Sequence, residues 1–123
     1  MAAKRVLSVG QCQADHARLS SSLRGAFDVE VVPAEDAAEA LERVGKEGFD
    51  LVLVNRVFDA DGDSGLDFIR RLRQGSPGVP VMLVSNYEDA QREAIEAGAL
   101  PGFGKAALNA PQTLARLREH LGE

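Results

Sequence analysis

Residues 51–54 read Leu51-Val52-Leu53-Val54, an apolar run with no polar residue in it. The run is too short for a helix and is rich in valine, so it predicts a strand. Apolar side chains on both faces of a strand indicate that both faces are buried, which is typical of a central strand in a parallel sheet. We therefore place residues 51–54 at the centre of a sheet that helices cover on both sides.

Similar apolar runs occur at residues 6–9 and 79–84, and both predict further central strands. Residues 27–32 alternate between apolar and polar side chains, which predicts a strand nearer an edge. A fifth strand is predicted at residues 101–104. These five strands are separated by segments in which apolar residues recur at helical spacing.

Helices fill the gaps between the predicted strands. They are predicted over residues 15–24 and 34–46, then around three stripes: Leu66, Ile69 and Leu72; Ala90, Ala94 and Ala97; Leu114, Leu117 and Leu121. Gly25, Gly48 and Gly98 are predicted to lie at helix C-termini.

Five β-α repeats predict one α/β domain over residues 1–123, a three-layer α/β/α sandwich of the flavodoxin-like (βα)5 kind. The expected parallel strand order is 2-1-3-4-5. In such folds ligands bind at the carboxyl ends of the strands.

Composition limits the function. The net charge of −5 argues against binding to nucleic acid, which requires a basic surface. No stretch is long and apolar enough for a membrane helix, and no polybasic segment would attract an anionic membrane. Cys12 is the only cysteine, which excludes an intramolecular disulfide. We therefore expect a cytoplasmic protein.

Polar residues follow four of the predicted strands. They are Gly10-Gln11-Cys12, Asn55, Ser85-Asn86 and Lys105. With residues 50–55 and 64–72, this order and spacing resemble the response-regulator receiver family over essentially the whole chain.

The resemblance assigns a role to each position. Gly10 and Gln11 stand where the family has its magnesium-binding acidic pair, and Asn55 stands at the phospho-accepting aspartate. Ser85 and Lys105 match the two residues that contact the phosphoryl group. Gly102 stands at the aromatic residue that reports activation, and Ala106 replaces the usual proline. The phosphoryl pocket is therefore expected to be degenerate.

A pocket with these substitutions lacks the family's chemistry. Phosphoryl transfer requires an anionic nucleophile and a cation on the phosphoryl oxygens, whereas an amide oxygen is neutral. Magnesium prefers one or two carboxylates, and these positions supply none. We therefore predict a pseudo-receiver without enzyme activity, which acts as a phosphorylation-independent protein-interaction module. Asn55 could reflect sequence drift in a non-functional pocket or selection for a permanently switched state, and the sequence leaves both open.

The resemblance also implies a partner surface. The face of helix 4, strand 5 and helix 5 would meet a signalling protein through Asp89, Arg92, Glu93, Glu96, Gly102, Arg116 and Glu119.

Two alternatives involve other residues. The acidic loop with Asp59, Asp61 and Asp63 could hold magnesium or calcium weakly, and Asp59 or Asp61 could then serve as a displaced phosphoacceptor. No other cofactor is expected, and a solvated turn capped by Ser64 is the simpler interpretation. The crevice formed by Gly10-Gln11-Cys12, Asn55 and Lys105 could instead bind a small anion.

Overall fold

A computed structural model describes residues 3–122. The predicted domain limits, residues 1 and 123, lie outside the described residues. Five strands form one parallel sheet in the order β2-β1-β3-β4-β5, as predicted. The strands are β1 (Lys4–Val9), β2 (Val29–Ala34), β3 (Leu51–Asn55), β4 (Val81–Val84) and β5 (Leu100–Phe103).

Helices cover both faces of the sheet. They are α1 (Gln13–Ala26), α2 (Ala37–Lys46), α3 (Gly65–Gly75), α4 (Glu88–Glu96) and α5 (Pro111–Leu121), with a 3₁₀ turn at Lys105–Ala107. One core lies between the sheet and α1 and α5, and the other lies between the sheet and α2, α3 and α4. Residues 51–54 are fully buried, which confirms that β3 is central.

Two predicted boundaries are wrong near the second strand. We predicted β2 at residues 27–32, but it occupies Val29–Ala34 because α1 continues to Ala26. We predicted the second helix from residue 34, but it begins at Ala37, where the Asp36 carboxylate accepts a hydrogen bond from Glu39 N at 2.8 Å. Pro33 lies within β2, where its missing N–H is tolerated on an edge strand.

The predicted glycine caps have mixed outcomes. Gly98 follows α4 with a φ of 107°, in the left-handed region that favours glycine, so this prediction is confirmed. Gly25 lies inside α1, and Gly48 comes after the C-cap residue Glu47 without a positive φ. Ser64 caps α3 as predicted, because its hydroxyl accepts a hydrogen bond from Asp67 N. No helix in residues 3–122 is long and apolar enough to span a membrane.

Candidate functional site

The carboxyl ends of β1 and β3 meet at Asn55. Its side-chain nitrogen Nδ2 donates hydrogen bonds to Val57 O at 2.8 Å and to Gly10 O at 3.1 Å. Its oxygen Oδ1 accepts from Arg56 N at 3.1 Å. Both amide hydrogens are therefore used, and a carboxylate at this position could donate neither bond.

Gly10 is enclosed by the core. Its φ is 77°, and a Cβ added to it would lie 2.2 Å from Cδ1 of Phe58. Phe58 is almost fully buried and packs edge-on against Phe68, with ring centroids 6.0 Å apart. The position that resembles the first member of the acidic pair therefore has no room for a carboxylate side chain.

Gln11, at the position that resembles the second member of the acidic pair, lies beside α1 and the segment after β5. Its half-buried side chain lines a cavity of about 20 Å³ together with Asp15, Arg18 and Lys105. Its Nε2 is buried without a hydrogen-bond partner among residues 3–122. A cavity of this size has room for about one water molecule.

Lys105 forms an ion pair that was not predicted from the sequence. Its Nζ donates a hydrogen bond to Asp15 Oδ2 at 2.6 Å. This bond lowers the pKa of the Asp15 carboxyl, against an opposing effect of burial. Asp15 N in turn donates to Cys12 Sγ, so Cys12 caps α1 and positions this carboxylate. Helix α1 therefore supplies a carboxylate partner for Lys105.

Ser85 is buried at the end of β4. Its Oγ accepts a hydrogen bond from Tyr87 N at 3.2 Å, which shapes the turn into α4. Tyr87 is 63% exposed, and the Arg56 guanidinium lies 4.8 Å from its ring centroid. The structure thus brings Asn55 and Gly10 into direct contact, while Ser85 and Lys105 bond to other groups.

The acidic loop bonds mainly to itself and to Gly10. Phe58 N donates to Asp63 O, Asp59 N donates to Gly10 O, and Asp61 Oδ1 accepts from Asp63 N. Asp59, Asp61 and Asp63 are all exposed. In the part of the chain that the structure describes, no three Asp, Glu, His or Cys residues are grouped to hold a metal ion.

The predicted partner face needs one correction. Its charged residues are exposed, but Gly102 is buried. Gly102 N donates to Gln91 Oε1 at 3.2 Å, and Gly102 O accepts from Arg116 Nη1 at 2.7 Å. Gln91 was not among the predicted site residues, although its position beside the buried Ala90 and Ala94 on α4 indicates a partly inward side chain.

Comparison with known proteins identifies a consistent set of relatives. The profile of the response regulator receiver domain matches residues 7–118. The transcriptional regulatory protein ZraR of Klebsiella oxytoca is 31% identical over 109 residues, which cover 81% of this chain and 24% of ZraR. The chain therefore spans about a quarter of that relative's length.

Two solved structures resemble the whole chain. A response regulator from Thermotoga maritima has 25% identity and a TM-score of 0.78, and the match covers 99% of this chain and 100% of the other. A Chloroflexus aurantiacus protein described as a response regulator gives a TM-score of 0.83 at the same identity and coverage.

Proposed function

The chain belongs to the response-regulator receiver family, and from this premise we propose that it is an atypical receiver whose signalling contacts do not depend on phosphorylation. Receiver domains are signalling modules that interact with signalling proteins or output domains. The hydrogen bonding of Asn55 is the observation that carries this proposal.

The Asn55 side chain engages two neighbouring carbonyl oxygens. Its amide nitrogen donates one hydrogen bond to the carbonyl oxygen of Gly10 and one to that of Val57. These oxygens would otherwise be available to a cation. Phosphoryl transfer to a receiver requires both a carboxylate nucleophile and a metal ion, and this arrangement opposes both.

Three further contacts support the proposal. Phe58 fills the space beside Gly10 in which an acidic side chain would have to lie. Lys105 is paired with Asp15 and Ser85 accepts a hydrogen bond from the α4 turn, so each of these groups has a partner within the domain.

The first experiment is an amide NMR titration of the ¹⁵N-labelled protein with magnesium, followed by beryllofluoride, which mimics a phosphoryl group. We expect the Asn55, Ser85 and Lys105 amides to keep their positions at both steps. In parallel, intact-mass analysis after acetyl phosphate treatment should show no phosphate adduct. A receiver with aspartate at the end of its third strand serves as the positive control.

Other outcomes would assign a different function. A magnesium-dependent adduct at Asp59 or Asp61 would overturn the proposal in favour of a displaced phosphoacceptor. Thermal stabilisation by a small anion, lost in Lys105→Gln, would favour an anion sensor, because a ligand that binds the folded state raises its stability.

The interaction role needs a separate readout. Immobilised protein should retain the same proteins from a lysate of its host whether or not acetyl phosphate and magnesium are present. The variant Arg92→Glu, on the exposed surface of α4, should reduce that retention if the α4–β5–α5 face makes the contact. Retention that requires acetyl phosphate would contradict the proposal.

A further inference from the structure

Strand β5 contains an irregularity next to β4. Met82 pairs with Leu100 and Val84 pairs with Phe103. The second pair is therefore two residues further along β4 but three residues further along β5, which is a register shift. The extra residue lies in the Pro101-Gly102 segment. Such a bulge removes peptide groups from the regular ladder, and these groups need other partners.

The Gln91 side chain, from α4, provides most of those partners. Its Nε2 donates to Leu83 O at 2.9 Å and to Ser85 O at 3.1 Å, and it lies 3.4 Å from Phe103 O. Its Oε1 accepts from Gly102 N. One side chain therefore connects α4 to the carboxyl ends of both β4 and β5.

Helix α5 completes the connection. Arg116 Nη1 donates to Gly102 O at 2.7 Å, so both peptide groups of Gly102 are bonded to helices on opposite faces of the sheet. A Cβ at position 102 would lie 2.1 Å from Leu83 O and 2.9 Å from Gln91 Oε1. Gln91 can reach these backbone groups because residue 102 has no side chain.

We propose that Gln91 is a latch that fixes α4 to the ends of β4 and β5, so that the α4–β5–α5 face has one conformation regardless of the state of the pocket. If α4 moved, the carbonyls of Leu83 and Ser85 and the N–H of Gly102 would lose their hydrogen bonds to Gln91. Burying such groups without hydrogen bonds is costly, so the latched arrangement is favoured. The inference deepens the proposed function, since it explains how the partner face stays fixed.

The test is hydrogen exchange and relaxation dispersion NMR on the wild-type protein and on Gln91→Leu, which keeps much of the side-chain volume but forms no hydrogen bonds. In the wild type, the Gly102 amide should be protected and α4 should show no microsecond-to-millisecond exchange. In Gln91→Leu, exchange at Gly102 and along α4 should rise about tenfold or more. The control Arg92→Gln changes the neighbouring exposed residue and should leave these rates unchanged.

A second variant separates the latch from general packing. Gln91→Glu places a carboxylate against the carbonyls of Leu83 and Ser85, so α4 should be mobile at neutral pH. Protonation of that carboxyl restores one hydrogen-bond donor. The ratio of the amide exchange rates of Gln91→Glu to those of Gln91→Leu, measured at the same pH, should therefore decrease as the pH falls. Protection of β1 and β3 amides in each variant shows that the global fold is intact.

Two results would overturn the latch. Wild-type α4 could already show microsecond-to-millisecond exchange, or Gln91→Leu could leave protection at Gly102 unchanged. Both results are independent of the magnesium and beryllofluoride titration. Failure of the latch is therefore distinguishable from failure of the proposed function.

Discussion

The Lys105 ammonium lies 2.6 Å from the Asp15 carboxylate, a contact that joins the segment after β5 to the first turn of α1. The two residues are separated by 90 positions in the chain. Lys105 therefore has a structural role, because it links the segment after β5 to α1.

We expect this pair to contribute modestly to stability. Both side chains are partly exposed, so solvent screening limits the contribution to about 0.5–1 kcal/mol. A double-mutant cycle with Asp15→Asn and Lys105→Gln, measured by urea unfolding at neutral pH, should give a coupling free energy in that range. Coupling near zero would show that the contact does not stabilise the fold.

Asp15 also predicts a pH dependence. Its pKa in the folded state lies below the ordinary 3.8, because Lys105 donates a hydrogen bond to the ionised form. The stability from this pair is therefore fully present above about pH 3.8 and is lost as the pH falls through the folded pKa. Unfolding free energies followed into the acid range should fall less steeply for Asp15→Asn than for the wild type.

His16, one residue further along α1, predicts a change closer to neutrality. Burial lowers the pKa of its imidazole below 6.5, and its Nδ1 has no hydrogen-bond partner within residues 3–122. The unfolded chain therefore binds a proton more readily, and stability decreases as the pH falls below about 6.5. NMR titration of the His16 ring protons should give a midpoint below 6.5, and a midpoint at or above it would contradict this account.

The fold could be predicted from the sequence because its main signals are local. Residues 51–54 need no tertiary context to indicate a doubly buried strand, and the alternation near Val29 correctly indicated an edge strand. The boundary of α2 was wrong because apolar periodicity extends to Ala34, whereas Asp36 determines the start through its cap. Capping is a competing local signal that outweighed periodicity there.

The site was less predictable because its contacts join distant segments. The resemblance to the receiver pattern placed Asn55 and Gly10 in one crevice, and the structure brings them into contact, but the resemblance gave no partner for Lys105. The bulge near Gly102 is a consequence of strand pairing, so neither it nor the role of Gln91 can be read from residues 88–104 alone. These contacts depend on side-chain geometry, which cannot be deduced from the order of residues in the sequence.

Asn55→Asp tests whether one substitution restores the family's chemistry. The carboxylate would lose two donor bonds and would face the carbonyls of Gly10 and Val57 without a cation. We expect a loss of about 1–3 kcal/mol in unfolding free energy at neutral pH, and partial recovery as acid protonates the new carboxyl. Acetyl phosphate should leave the variant unmodified, since Phe58 still excludes an acidic side chain at position 10. Efficient phosphorylation of Asn55→Asp would show that the remaining pocket is competent.

Gly102→Ala tests the close approach on which the latch depends. An added Cβ would lie 2.1 Å from Leu83 O, a contact with backbone that cannot be relieved by rotating a side chain. The cost of forcing a methyl group into this space should be about 1–3 kcal/mol of unfolding free energy, with the largest loss of amide protection along β5 and α4. The matched control is Gly48→Ala, where nothing lies within 4 Å of the added Cβ and the φ is not positive. Its stability should change by about 0.5 kcal/mol or less.

Because an aromatic side chain at position 102 must begin with the same Cβ, Gly102→Tyr should be at least as destabilising as Gly102→Ala. If Gly102→Tyr were instead as stable as the wild type, β5 would have a second arrangement available, and Gln91 could not be holding it in one.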